Sequence, residues 1–218
     1  MFEAVIFDFD GVVLNTEEPE FLAWQQIYKQ YGSDLSLNEW QITIGTRKAF
    51  DPYSDLKSKT TYELPDIEEI YQKKRTIVTE LLESQKPMDG VLEWLKDANE
   101  KGLKIGMASS SSQAWLEHHL TRLNIRHYFS AVVGYSTLVR PKPYPDSYLK
   151  ACEILKVKPQ NAFAIEDSTH GIKAAKLAGL KVIAVPHKLT QDTDLSEADL
   201  IVDSLAKYSL SQVISLLS

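Results

Sequence analysis

The chain has 218 residues, 44% hydrophobic and 25% charged, which suits one globular domain or one domain carrying an insertion. A formal net charge of −6 argues against nucleic acid or an anionic membrane surface as the main partner. Cys152 is the only cysteine, so an internal disulfide is excluded; with no signal peptide and no apolar run near the ~20 residues of a membrane helix, a cytoplasmic setting is expected.

The chain opens on Ala4-Val5-Ile6-Phe7, a short apolar run that reads as a strand buried on both faces. Asp8 and Asp10 stand where that strand ends, and Gly11 follows as a turn residue. Glu17 to Tyr31 reads as a helix, with Thr16 as N-cap and Gly32 just past its end. Gly45, Pro52 and Pro65 break residues 33–65 into short helical pieces. Asp66 opens a long helix with Glu69 completing a capping box, and Ile67, Ile70, Val78, Leu81 and Leu82 recur at helical spacing.

From Lys86-Pro87 onward helix and strand alternate. The predicted helices are Val91–Glu100, Ala114–Leu123, Asp146–Leu155, Ile172–Leu177 and Ser209–Leu217, with Asp146 capping the third. The predicted strands are Leu103–Ala108, Phe129–Val133, Ala162–Ile165, Lys181–Val185 and Leu200–Val202. Such alternation predicts an α/β fold: a doubly wound, Rossmann-like parallel sheet. Residues 1–15 and 87–218 form the expected sheet domain, and 16–86 an inserted small α-helical domain. Asp8, Asp10, the serines 109–112, Glu166 and Asp167 all fall at strand ends, the edge where such sheets bind ligands. An insertion leaving after Asp10 starts at that edge and is expected to act as a lid.

Each polar group has two readings. Four acids converging at strand ends repel one another by about 4 kcal/mol per pair at ~4 Å. They call for a cation, and hard oxygen donors without nearby His or Cys point to Mg²⁺. Glu166-Asp167 alone reads equally well as ordinary acids before a helix; Asp8 and Asp10 in an apolar strand do not. The serines form an anion seat at a helix start or, taken alone, a polar loop with a serine cap. Lys142, stiffened by Pro141 and Pro143, aims an ammonium at a phosphate or is a surface lysine.

Together these residues resemble the haloacid dehalogenase superfamily. Asp8-Phe9-Asp10-Gly11-Val12-Val13 is similar to its first motif, Ser109 to its second, Lys142-Pro143-Tyr144-Pro145-Asp146 to its third and Glu166-Asp167-Ser168 to its fourth. The helical insertion is similar to the cap of the branch holding β-phosphoglucomutase and phosphoglycolate phosphatase. The resemblance implies that Asp8 attacks phosphorus and forms an aspartyl-phosphate, and that Asp10 moves protons. It implies that Mg²⁺ is held by Asp8, the Asp10 carbonyl and Asp167, with Glu166 beside it. Ser109, Ser110 and Lys142 would hold the phosphoryl oxygens.

β-Phosphoglucomutases carry a histidine on the first cap helix, where this chain has Glu20, a departure that favours a phosphatase over a mutase. Gly45, Arg47 and Lys48 occupy the segment that selects substrate in the family, though Arg47 and Lys48 read equally well as solvent-facing. The expectation is a monomeric Mg²⁺-dependent phosphatase of a small phosphorylated metabolite, with β-phosphoglucomutase as the alternative and no nucleic-acid or membrane partner. His118, His119 and His170 read as surface or face-edge residues, Cys152 as packing, and the four tryptophans as core or cap packing.

Overall fold

Strand β1 (Ala4–Phe7) runs through the middle of the sheet, which is why it has no polar side chain: all four residues are fully buried. The computed structural model describes residues 2–41 and 50–217. After β1 come four helices, α1 (Glu17–Gln30), α2 (Leu37–Gln41), α3 (Pro52–Lys59) and α4 (Ile67–Glu83). Then α5 (Val91–Glu100), β2 (Lys104–Ser112), α6 (Gln113–Arg122) and β3 (Ala131–Tyr135) follow. The chain closes with α7 (Asp146–Leu155), β4 (Ala162–Glu166), α8 (Thr169–Ala178), β5 (Lys181–Ala184), β6 (Leu200–Ile201) and α9 (Leu210–Leu217).

The six strands are parallel in the order β3-β2-β1-β4-β5-β6. Parallel neighbours need crossover connections, and the intervening helices supply them. Phe7 lies beside Met107 on one side and Ile165 on the other, so the ends of β1, β2 and β4 are in step. On one face Ala4 and Ile6 pack with Tyr148, Cys152 and Leu155 of α7 and Ile172 and Ala175 of α8. The alternation of a strand sends Phe7 to the other face, where its ring meets Phe129 edge-on at 6.1 Å. Cys152 is a packing residue, and burial pushes its thiol up to about 11.

The chain divides into two compact units, residues 1–14 with 86–218, and 15–85. In the second, every regular element among the described residues is helical. There α1 packs against α4, and Trp24 sets its ring edge-on to Tyr28 and Tyr71. The Tyr28 hydroxyl, fully buried, lies 2.8 Å from both the Pro52 carbonyl and the Asp55 carboxylate. Asp66 caps α4 through the Glu69 N–H at 2.9 Å, as its spacing predicts. No described helix is long and apolar enough to cross a membrane.

Several boundaries differ from the sequence-based expectation. Thr16 stands at the N-cap position of α1 as expected, but it is buried with helical dihedrals and its side chain makes no cap hydrogen bond. Asn15, one residue earlier, supplies the side-chain bond, accepting from the Glu18 N–H and donating to the Glu18 carboxylate. The serine run belongs to β2 rather than to a loop, with an irregularity in its pairing to β3 between Ala108 and Ser112. Ser112 is the residue that caps α6. Asp146 does not cap α7 either: Pro145 stands at that position, and the Asp146 carboxylate holds the Arg140 N–H and guanidinium.

Candidate active site

Asp8 extends β1 by one rung, its N–H donating to the Ile165 carbonyl at 2.9 Å. That rung carries the carboxylate of Asp8, a residue 6% exposed, alongside the end of β4. Glu166 is the last residue of β4 and fully buried; Asp167, next in the chain, is 2% exposed. A buried carboxylate needs a partner, and Lys142 supplies one: its Nζ lies 2.6 Å from Asp8 Oδ1 and 2.5 Å from Glu166 Oε1. Tyr148, in the first turn of α7, donates its hydroxyl to the same Glu166 Oε1 at 2.5 Å. Glu166 Oε2 takes the Asp167 N–H at 3.2 Å and the Ser168 hydroxyl at 3.3 Å.

Glycine makes room for this cluster twice. At Gly171, in the first turn of α8, a Cβ would lie 2.0 Å from Glu166 Oε2. At Gly11, where φ is +84°, a Cβ would lie 2.2 Å from Asp167 Oδ2. The turn after Asp10 therefore passes directly against the Asp167 carboxylate.

Asp8, Glu166 and Asp167 each offer an oxygen within 4.8 Å of the others. Three acids share one ammonium, so the cluster is short of positive charge. Burial pushes the Asp8 carboxyl well above the usual range, against the pull of Lys142. Burial and the Glu166 charge do the same to Asp167. Burial works against the Lys142 ammonium, but the Asp8 and Glu166 charges outweigh it and raise its pKa. Tyr148 is pushed up by burial and by Glu166, so its hydroxyl keeps its proton. A divalent cation fits this set: the donors are hard oxygens, three acids against the one Lys142 ammonium.

Asp10 faces a different set of groups. Its Oδ2 accepts from the Ser111 hydroxyl at 2.6 Å and the Ser109 hydroxyl at 3.2 Å. Ser109 Oγ in turn accepts the Ser111 N–H at 2.9 Å. Ser110 turns to the neighbouring loop, where its Oγ accepts the Lys142 N–H at 3.2 Å. The serine-rich end of β2 thus holds Asp10 with two hydroxyls and the Lys142 loop with a third.

Among the residues singled out in the sequence, Asp8, Asp10, Ser109, Ser110, Lys142, Glu166 and Asp167 come together in the sheet unit. Glu20 lies in the helical unit, its carboxylate clasped by Lys74 Nζ at 2.7 and 2.8 Å. Gly45, Arg47 and Lys48 lie outside the described residues. His119, expected at the edge of a helix face, lies further in: it is 4% exposed, packed on Trp115 at 4.1 Å, and burial pushes it down to about 4. Ser111, Tyr148 and His187 join the site without having been singled out. Ser111 stood in the serine run, where only strand alternation separates it from its neighbours. Tyr148 carried the period of an apolar helix face. His187 lies 2.9 Å from Asp167 Oδ2, from a loop after β5 with no periodic signal.

The profile of the haloacid dehalogenase-like hydrolase family matches residues 5–185. YhcW of Bacillus subtilis (strain 168), a provisionally named phosphatase, is 37% identical over 211 residues, covering 97% of this chain and 96% of its own. β-Phosphoglucomutase of the same organism is 34% identical over 214 residues, covering 95% of this chain and 92% of its own. The solved structure of β-phosphoglucomutase from Clostridium difficile matches at a TM-score of 0.79 and 25% identity, covering 100% of this chain and 97% of its own.

Proposed function

The chain belongs to the haloacid dehalogenase-like hydrolase family, and from that premise we propose that it is a magnesium-dependent phosphatase of a small phosphorylated metabolite such as a sugar phosphate. The observation that carries the reading is the buried cluster of Asp8, Glu166 and Asp167 around Lys142, with Asp10 held apart by Ser109 and Ser111. Two neighbouring carboxylates in unlike surroundings suit two unlike jobs.

In this reading an Asp8 carboxylate oxygen forms a bond to phosphorus as the ester P–O bond breaks. Asp10 gives its proton to the leaving alkoxide, and the alcohol departs. Asp10 then takes a proton from water, whose oxygen bonds to phosphorus and releases Asp8 and inorganic phosphate. Lys142 balances the phosphoryl charge and holds the free Asp8 oxygen in line. Ser109 and Ser111 keep the Asp10 carboxyl aimed, and Ser109 with Ser110 edges the phosphoryl oxygens. Asp8, the Asp10 carbonyl and Asp167 would hold Mg²⁺, with Glu166 beside it. When bound, Mg²⁺ neutralises charge on the transferring group. Arg47 and Lys48 carry the choice of an anionic or polyhydroxy substrate.

The rival reading, β-phosphoglucomutase, is favoured by the relatives that bear that name. Glu20 counts against it. Where those mutases carry a histidine donor, this chain has a carboxylate already engaged by Lys74. The test is phosphate release from a panel of sugar phosphates in Mg²⁺, run beside conversion of β-glucose 1-phosphate to glucose 6-phosphate. Release across several esters without conversion is expected. Efficient conversion with little release would establish the mutase, and neither activity would defeat both readings.

A further inference from the structure

His187 is a titratable group at the cluster that the mechanism above does not use. It lies in the loop after β5, with its side chain 11% exposed. Its ring is held from two sides. Nδ1 accepts the Leu189 N–H at 3.2 Å, and Nε2 lies 2.9 Å from Asp167 Oδ2. A ring nitrogen that accepts a hydrogen bond carries no proton, so the proton of the neutral imidazole sits on Nε2. Nε2–H therefore donates to Asp167 Oδ2. The backbone around the ring is closed by Thr190, whose Oγ1 accepts the His187 N–H at 3.0 Å and whose own N–H returns to the His187 carbonyl at 2.9 Å. Gly11 completes the seat, since a Cβ there would lie 2.9 Å from Nε2 as well as against Asp167 Oδ2.

We propose that His187 is a positioning residue for the cation site, fixing the rotation of the Asp167 carboxylate by engaging Oδ2 and leaving Oδ1 for the metal. The inference rests on the cation site proposed above. Asp167 follows the end of β4, and a donor locked by Leu189 and Thr190 helps set the orientation of its carboxylate before any ion arrives. Outer partners that orient metal-binding carboxylates typically affect metal affinity by about 10- to 100-fold.

The test compares two variants of similar shape, His187→Gln, which keeps an N–H donor, and His187→Met, which does not. Mn²⁺ binding to the substrate-free protein is followed by electron paramagnetic resonance, after thermal melting has shown that both variants fold. His187→Met is expected to bind Mn²⁺ about 10-fold or more weakly, and His187→Gln to stay within a few-fold of the unaltered protein. The Mg²⁺ concentration for half-maximal phosphatase activity is expected to rise by the same factor in His187→Met, with kcat at saturating Mg²⁺ changing less. Equal binding by the two variants, whether both tight or both weak, would overturn the role of the hydrogen bond. Should His187→Met fail to fold, His187→Ala is read in its place by the same criteria. Absence of Mn²⁺ binding to the unaltered protein would instead overturn the cation site, a different failure from the first.

Discussion

The two units of the chain differ in one respect: the sheet unit buries a cluster of charges, and the described helical unit does not. In the sheet unit Lys142, Asp8 and Glu166 meet with side chains 4%, 9% and 0% exposed. In the helical unit the described pairs run from part-buried, Lys74 with Glu20 at 14% and 29%, to open, Arg75 with Glu68 at 54% and 67%. Exposed pairs of that kind contribute about 0–1 kcal/mol each and are readily exchanged. A buried ion pair removes each charge from water at a cost of several kcal/mol, which mutual attraction offsets only in part. A fold that needed only stability would fill the ends of β1 and β4 with apolar side chains. The comparison teaches that the strand ends of the sheet unit hold one buried charge cluster, while elsewhere both units carry their ion pairs at or near the surface.

The largest expected effect comes from removing one of the buried acids without changing its shape. Asp8→Asn should lower phosphatase activity by on the order of 10³-fold or more, while melting stays level or rises because one crowded charge is gone. Activity near that of the unaltered protein would break the contrast between the units. Next is Lys142→Met, which leaves Asp8 and Glu166 buried without their cation. Denaturant unfolding should show a loss of about 3–5 kcal/mol, together with loss of activity. A stable, active variant would mean that the ammonium is dispensable.

Tyr28→Phe tests the other side of the comparison. It deletes the buried hydroxyl that meets Pro52 and Asp55 in the helical unit. A loss of about 1–3 kcal/mol in stability is expected with kcat unchanged, and a large fall in kcat would show that the helical unit takes part in chemistry. The smallest effect is the pH response of His119, whose Nε2 is buried without a hydrogen-bond partner among the described residues. Its folded pKa is lowered to about 4 from an ordinary 6.5. Between those values the unfolded chain binds more protons than the folded one, so stability is fully present above 6.5 and is lost as pH falls towards about 4. Thermal melts across that window should flatten in His119→Gln, and an unchanged slope would contradict the assignment.

Much of the sheet unit was legible because its signals are local. Ala4–Phe7 had to be a buried strand, and Val91–Glu100 follows helical periodicity to its observed ends. Asp8, Asp10 and Lys142 stood out because each breaks an apolar or proline-stiffened pattern. Partners fixed by distant chain segments were not legible. Tyr148 looks like any aromatic on an apolar helix face, and only the fold sets Glu166 against its hydroxyl. His187 sits beside a proline in a loop, and its carboxylate partner lies 20 residues away in the chain. The serine run misled for the opposite reason: polar residues at a strand end look like loop until pairing with β3 is seen. Thr16 falls at the N-cap position its sequence signal predicts, but it is buried and makes no side-chain cap bond, which no local pattern reports.

The most direct measurement of the central claim is the site of phosphorylation during turnover. The protein is quenched in acid while hydrolysing the best substrate of the sugar phosphate panel, and its peptides are examined by mass spectrometry. The account predicts a phosphoryl group on Asp8, in the peptide carrying Asp8-Phe9-Asp10, and none in Asp8→Asn. A phosphoryl group on another residue, or turnover that persists in Asp8→Asn, would contradict it.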